Sequence, residues 1–152
     1  MAFFVRAASE LDRPGVLALA YRLEEGVSPW RDRSGVARAV RSWVESSIGS
    51  LGDGERACFV AEECRQVIGF VSVERSHHWS GGTDAYIGEL MVAEAAARRG
   101  VGRALLGEAI AWGQAQGCDR IALETGSAND SALAFYRSMA FECDEVRLSR
   151  QL

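Results

Sequence analysis

The sequence is short of several residue types, and each shortage excludes a class of protein. With only 2 prolines among 152 residues, the composition rules out a collagen-like repeat. The 2 histidines are adjacent, and the 4 cysteines form no Cys-x-x-Cys pair, so the ligand spacing of a structural zinc site is missing. We predict no metal. We expect reduced cysteines, because the stretch MAFFVRAASELDR lacks the basic start and apolar run of a secretory signal.

Neither positive charge nor hydrophobicity is concentrated along the chain. The net charge is −4, and no basic run exceeds two residues, so no nucleic-acid partner is indicated. No apolar stretch approaches the ~20 residues that span a bilayer, and we predict no membrane partner. The 48% hydrophobic and 25% charged residues are ordinary for a globular protein. We predict a single domain over residues 1–152, located in the cytoplasm.

Hydrophobic periodicity predicts helices and strands in the order β-α-α-β-β-β-α-β-α-β. This is a mixed α/β (α+β) sheet fold, with a hairpin meander in the middle and a parallel strand–helix–strand unit in the C-terminal half. Ser34 is a possible N-cap of the second helix. The predicted strands are Phe3–Arg6, Cys58–Ala61, Val67–Val73, Ala85–Val92, Ile121–Glu124 and Phe141–Leu148, and the helices cover Val16–Leu23, Val36–Ile48, Gly102–Gln116 and Ser131–Met139.

Among the 16 glycines, the pair that opens the longest predicted helix carries functional information. A helix N-terminus leaves N–H groups unpaired and has a partial positive charge. Gly100 and Gly102 remove side chains that would keep an anion at a distance. Arg98, Arg99 and Arg103 add positive charge. The segment therefore predicts a phosphate or pyrophosphate site, and a solvated helix start is the alternative.

Two other nucleotide-binding motifs fit this segment less well. A Rossmann fingerprint requires a third glycine where Leu105 stands. Glu124 does end the next strand about where a ribose-binding acid would lie. A P-loop would require Gly-Lys followed by Ser or Thr, which is absent. A dinucleotide-binding enzyme remains a distant alternative.

From Tyr86 to Phe141 the sequence resembles the GNAT superfamily of acetyl-CoA-dependent N-acetyltransferases. Residues 97–102 read ARRGVG after a strand ending in ELMV, similar to the family pattern [RQ]-x-x-G-x-[GA]. Downstream, Asn129 and the stretch AFYRSMAF at 134–141 are similar to the family's asparagine and "lYeklGF" helix. Ala97 and Ala140 depart from the pattern. If residue 140 has a positive φ, alanine costs about 1 kcal/mol there.

The resemblance implies a GNAT-like acyl-CoA N-acyltransferase fold with acetyl-CoA as co-substrate. The strand backbone would pair with the pantetheine arm, and one of its N–H groups would face the developing oxyanion. Asn129 would hydrogen-bond the same arm. The implied cofactor-binding residues are Leu90, Met91, Val92, Arg98, Arg99, Gly100, Val101, Gly102, Arg103, Ala104, Asn129 and Tyr136.

Glu89 and Glu124 are the candidates for the catalytic base. Period-2 alternation predicts that Ile87, Glu89 and Met91 share one strand face, where a carboxylate is costly unless it is paired or used. The resemblance implies direct attack by the amine in a ternary complex, with Tyr136 as the acid that protonates the departing thiolate. The alternatives are paired or solvated glutamates and a packed tyrosine.

The sequence is less informative about the acceptor. We expect a primary amine in a small molecule or peptide. The strand YIGELMV at 86–92 looks somewhat like that of aminoglycoside N-acetyltransferases, which favours an aminoglycoside or another polyamine-like amine. The alternatives are a protein N-terminus or lysine, and a non-catalytic acyl-CoA-binding regulatory module. A homodimer is compatible with the sequence. The residues expected near the acceptor, or else solvated, are Glu24, Glu25, Trp30, Asp32, His77 and His78.

Overall fold

Five strands form one mixed sheet in the computed structural model, which describes residues 2–152. The sheet order is β1-β2-β3-β4-β5. Neighbouring strands are antiparallel except β4 and β5, which are parallel. The strands are Phe4–Ala7 (β1), Arg56–Glu63 (β2), Gln66–His77 (β3), Thr83–Val92 (β4) and Arg120–Leu123 (β5), and the helices are Arg13–Leu17 (α1), Arg33–Ile48 (α2), Val101–Ala115 (α3) and Asp130–Ser138 (α4). The mixed α/β class is confirmed.

The central hairpin forms where the sequence predicts it. Glu63 of β2 pairs with Gln66 of β3, so Cys64 and Arg65 make a tight turn between them. Both have a positive φ, of 50° and 63°, as a type I′ turn requires at its two central positions. The hairpin brings β3 to the middle of the sheet beside β4.

Each face of the sheet carries its own hydrophobic cluster. Below α3, Val71 and Leu105 belong to one cluster; below α1 and α2, Phe70 and Val44 belong to the other. Phe70 and Val71 are consecutive, so alternation along β3 sends one side chain to each face. All four are fully buried, which stabilises the fold by roughly 1.5–3 kcal/mol per side chain. Strand β4, which carries the catalytic candidate Glu89, contributes Ile87 to the first cluster and Met91 to the second.

The predicted first helix is divided in the structure. Its apolar stripe is retained, with Val16, Leu19 and Ala20 buried. However, α1 ends at Leu17, and a 3₁₀ turn over Ala20–Glu24 follows. The second helix begins at Arg33 and is capped by Asp32, whose carboxylate accepts from Gly35 N–H at 2.7 Å. The prediction of Ser34 as its N-cap is therefore wrong.

The predicted closing strand Phe141–Leu148 is also wrong, since no strand follows α4 in residues 2–152. The Phe141 ring packs against Tyr136 at 5.5 Å, but every later side chain is exposed. Glu145 accepts a hydrogen bond from the Trp79 indole at 2.9 Å. An alternating sequence forms a strand only when its backbone pairs with a neighbouring strand and its apolar side chains pack on a core. This acidic segment contacts the β3–β4 loop instead of the sheet.

Candidate active site

A cavity of about 670 Å³ lies where β4 and β5 separate. The two strands pair only as far as Ile87 and Leu123, whereas β4 continues to Val92. The edge of β4 from residue 88 onward therefore has no strand partner on this side. Side chains from α2, β2, β4 and α4 line the cavity, among them Trp43, Cys58, Glu89 and Tyr136. An extended ligand could pair with the free edge and reach these side chains.

A β-bulge in β4 aims Glu89 into this cavity. Ser72 of β3 faces Glu89 and Val73 faces Ile87, so Gly88 is the extra residue. The bulge reverses the alternation: Ile87 packs in the α3 cluster, whereas Met91 packs in the α1–α2 cluster. Our prediction that Ile87 shares a face with Glu89 and Met91 is thus wrong. A glycine inside a strand is the sequence signal for such a bulge.

Two serine hydroxyls bind the Glu89 carboxylate. Ser47 Oγ of α2 donates to Glu89 Oε2 at 2.8 Å, and Ser72 Oγ of β3 donates to the same oxygen. Burial raises the pKa of Glu89, and the serine hydrogen bonds lower it, with a net increase. Glu89 is only 5% exposed. A buried carboxyl with a raised pKa is the expected property of a general base.

Other carboxylates surround the same part of the cavity. Burial raises the pKa of Tyr86, and the charges of Glu124, Glu74 and Glu89 raise it further. Glu74 pairs with Arg56 at 2.8 Å, whereas Glu124 is exposed and has no ion-pair partner within residues 2–152. The cavity therefore carries negative charge around the Tyr86 ring, and it favours a cationic ligand.

Tyr136 reaches the cavity from α4. Its ring packs between Phe135 and Phe141, at centroid distances of 5.2 and 5.5 Å. Burial raises the pKa of Tyr136 to about 12, so the hydroxyl keeps its proton at neutral pH. Glu89 and Tyr136 line one cavity, as a base and an acid of the same reaction must.

The glycine turn forms the start of α3. Gly100 is the N-cap and has a φ of 84°, a conformation that favours glycine. No heavy atom lies within 4 Å of a Cβ built at this position. Ala104 N–H already donates to Gly100 C=O at 3.0 Å, which leaves the N–H groups of Val101, Gly102 and Arg103 without an intrahelical acceptor. These three groups and the open space beside Gly100 fit a pyrophosphate.

The three arginines at this turn have different surroundings. Arg99 is paired with Glu63 of β2 at 2.6 Å, and this contact fixes the turn against the sheet. Arg98 and Arg103 are exposed and make no ion pair in the part of the chain that the structure describes. Arg98 has a φ of 61°. The exposed pair can reach an anion at the helix start without breaking a salt bridge.

Asn129 makes its hydrogen bonds within the protein. Its Oδ1 caps α4 by accepting from Ala132 N–H at 3.2 Å, and its Nδ2 donates to Glu25 C=O at 3.3 Å. Gly26 lies directly against Asn129, and a side chain at Gly26 would overlap it. Gly126 approaches Gly26 in the same way. Asn129 thus joins the loop before α2 to the start of α4.

The residues expected near the acceptor have different locations. Glu25 lines the cavity and pairs with Arg22, whereas Asp32 is used to cap α2. Neither His77 nor His78 lines the cavity, and His78 instead contacts Ser80 at 2.6 Å. Ser47, Ser72 and Trp43 also line the cavity, although the sequence did not predict them as site residues. A serine or tryptophan in a helix or strand carries no local signal for these contacts, which depend on how α2 packs against the sheet.

Residues 2–152 contain neither a candidate metal site nor a candidate membrane-spanning helix. No group of three or more His, Cys, Asp or Glu side chains could hold a metal ion there. No helix in the same range is long and apolar enough to cross a membrane.

Residues 20–141 match the model of the Acetyltransferase (GNAT) family. The chain belongs to this family. GNAT enzymes use acetyl-CoA, and the free β4 edge and the α3 start have the backbone groups that could bind two of its parts, the pantetheine arm and the pyrophosphate. No curated protein sequence matches the chain significantly.

Several solved structures have the same fold as this chain. AAC(6')-Iy in complex with a CoA-containing bisubstrate analogue has a TM-score of 0.74 at 19% identity, covering 100% of this chain and 99% of the other. Glucosamine-6-phosphate N-acetyltransferase from Arabidopsis thaliana has a TM-score of 0.69 at 18% identity, covering 99% of each chain. A transcriptional regulator from Bacillus halodurans has a TM-score of 0.70 at 21% identity, covering 99% and 100%. At these identities the likeness concerns the fold alone.

Proposed function

We propose that this protein transfers an acetyl group from acetyl-CoA to a primary amine of a small cationic acceptor. One observation carries the proposal: a buried, serine-bound Glu89 and a protonated Tyr136 line a single cavity. The family supplies the cofactor, and the cavity supplies a base and an acid.

Glu89 acts as the base. An alkylammonium has a pKa near ~10, so the amine must lose a proton before it can attack the acetyl carbon. Oxygen Oε2 accepts from both serines, whereas within residues 2–152 Oε1 accepts no hydrogen bond and is not among the fully buried atoms that lack a partner. Oε1 therefore takes the proton, directly or through a water. Because burial raises the pKa of Glu89, proton transfer is more favourable than to an ordinary carboxylate.

Tyr136 and the β4 backbone assist the other end of the reaction. Acetyl-CoA supplies the acetyl group as a thioester. The Tyr136 hydroxyl, with its pKa raised to about 12, holds a proton for the departing thiolate. N–H groups of the free β4 edge at Leu90–Val92 orient the pantetheine arm and stabilise the developing negative charge on oxygen.

The charge of the cavity supports an acceptor with more than one positive charge. Glu124 has no ion-pair partner within residues 2–152, and it influences Tyr86 together with Glu74 and Glu89. Trp43 adds an aromatic surface, 56% exposed, on which a cation can stack. A polyamine-like molecule, including an aminoglycoside, would place one amine at Glu89 and another near Glu124. A peptide amine is the second acceptor class.

Thiol release from acetyl-CoA over a panel of amines tests this function. The panel contains aminoglycosides, linear diamines and triamines, matched monoamines, and peptides with free N-terminal or lysine amines. We expect higher kcat/KM for the polycations than for the monoamines. Binding of acetyl-CoA without turnover of any amine would instead support a non-catalytic acyl-CoA-binding module. Tight NAD binding without CoA binding would support the dinucleotide alternative.

A further inference from the structure

We infer that Ser47 and Ser72 are positioning residues, which fix Glu89 by holding Oε2 so that Oε1 alone faces the substrate. This inference rests on the proposed function, because it assigns the serines a role through Glu89. Neither serine has to touch the amine or acetyl-CoA.

Ser72 joins the position of the carboxylate to the bulge in β4. Its Oγ accepts from Glu89 N–H at 3.0 Å and donates to Glu89 Oε2. The hydroxyl proton is therefore directed at the carboxylate, since the lone pair faces the backbone donor. A Cβ at Gly88 would lie 2.9 Å from this Oγ, so the glycine leaves room for the hydroxyl. Ser72 fixes the backbone and the side chain of Glu89 together.

Ser47 donates to the same oxygen from a different element of the fold. It lies on α2 and donates to Glu89 Oε2 at 2.8 Å. Ser47 Oγ makes no other hydrogen bond within residues 2–152, although the Ser47 carbonyl accepts from Cys58 Sγ at 3.6 Å. Removal of the Ser47 hydroxyl therefore eliminates one of the two hydrogen bonds to Oε2. The β-bulge at Gly88 is left intact, because the Ser47 hydroxyl makes no hydrogen bond to its backbone in the described residues.

Both hydroxyls favour the charged carboxylate, whereas burial favours the neutral acid. Loss of either donor should therefore raise the pKa of Glu89 further. Four other titratable side chains face or influence Glu89, and none donates a hydrogen bond to it in the described residues. They are Arg56 and Cys58 of β2, Glu74 of β3 and Tyr86 of β4.

The pH profile of kcat/KM tests the inference in Ser47→Ala, Ser47→Thr and the control Ser42→Ala. Ser42 is an exposed serine of the same helix, outside the cavity. For Ser47→Ala we expect the acidic limb to move up by about one pH unit and kcat at neutral pH to fall several-fold, with the KM for acetyl-CoA unchanged. Ser47→Thr keeps the hydroxyl, so the acidic limb of its pH profile should lie at the wild-type position. Ser42→Ala should match the wild type. An unmoved limb in Ser47→Ala would overturn the inference.

A carbon-13 NMR titration of the Glu89 carboxyl separates this inference from the proposed function. The resonance is assigned by its loss in Glu89→Gln, and its midpoint is compared in the wild type and Ser47→Ala without any substrate. A higher midpoint in Ser47→Ala supports the positioning contact, even if no amine is acetylated and the proposed function fails. An identical midpoint overturns the contact, whatever the activity.

Discussion

The proposed binding site has two ends, one for acetyl-CoA and one for the acceptor, and they are built from different parts of the chain. At the cofactor end, the free β4 edge and the N–H groups that open α3 are backbone groups within one continuous stretch, residues 88–103. At the acceptor end, the groups are side chains from α2, β2, β3 and β4, such as Ser47, Ser72 and Glu89. Backbone groups presented by glycines leave a sequence motif, whereas converging side chains do not. The first end is therefore recognisable from sequence, and the second requires the fold.

The largest expected effect concerns the acceptor end. Glu89→Gln removes the base while keeping the shape, and we expect kcat to fall by roughly 10²–10⁴-fold. In the wild type, activity should be lost as pH falls through the raised pKa of Glu89, because only the carboxylate accepts a proton. Steady-state kinetics as a function of pH measures both effects.

Glu124→Gln is the matched control for that substitution. Glu124 is exposed at the end of β5, so the loss of its charge should raise the KM of a polycationic acceptor a few-fold and leave kcat near that of the wild type. A loss of kcat in Glu124→Gln as large as in Glu89→Gln would assign the base to Glu124 instead.

The cofactor end should respond to a change in the backbone. Gly100→Ala places a side chain in the open space beside α3 and forces a φ of 84°, and we expect acetyl-CoA to bind about tenfold more weakly. Gly117→Ala, at the other end of α3, has a φ of 71° and open space. Both variants should lose about 1–2 kcal/mol of unfolding free energy. Calorimetric titration with acetyl-CoA separates them, and equal affinities would place the pyrophosphate elsewhere.

Trp43→Ala should have a smaller effect, confined to the acceptor. Loss of a partly exposed aromatic surface weakens a cation contact by about 0.5–1 kcal/mol, or a few-fold in the acceptor KM. The KM for acetyl-CoA should not change. Trp79→Ala removes another exposed indole, which does not line the cavity, and should leave both constants unaltered. A parallel rise in the acetyl-CoA KM would show that the two ends are coupled through α2.

The smallest effect concerns stability rather than chemistry. Ala140 follows α4 with a φ of 66°, so Ala140→Gly should raise the unfolding free energy by about 1 kcal/mol. Ala134→Gly, at an exposed position inside the helix, should lower it by about the same amount. Urea unfolding at constant slope measures both. A destabilising Ala140→Gly would contradict the left-handed conformation at this position.

Much of the fold could be predicted because its signals are local. The α3 pattern, the hairpin turn and the parallel strand–helix–strand unit each follow from a few neighbouring residues. The positive φ of Ala140 was expected because alanine stands where the family motif has glycine. The same holds for the turn at Gly100, whose conformation is a property of that residue and its neighbours.

The parts that could not be predicted depend on packing between distant segments. Alternation predicted that Ile87 and Glu89 share one face of the sheet. The β-bulge at Gly88 places them on different faces, and it is accompanied by a hydrogen bond from Glu89 N–H to Ser72 Oγ of β3. Alternation also predicted a strand at Phe141–Leu148, yet this segment pairs with no strand in residues 2–152 and contacts the β3–β4 loop through Glu145 and Trp79. The Ser47 contact spans 42 positions in the sequence, a separation that no periodic pattern encodes.

The separate hydrophobic clusters on the two faces of the sheet have a consequence for how such a protein can change. Their buried members do not overlap: Leu105 lies in the cluster below α3 and Ile48 in the cluster below α1 and α2. Substitutions that share no partner have additive energies. Volume can therefore be redistributed below α2 while the packing that holds the α3 start is unchanged. The proposed acceptor end, which includes Ser47 of α2, can therefore be altered by substitution while the proposed acetyl-CoA end is kept.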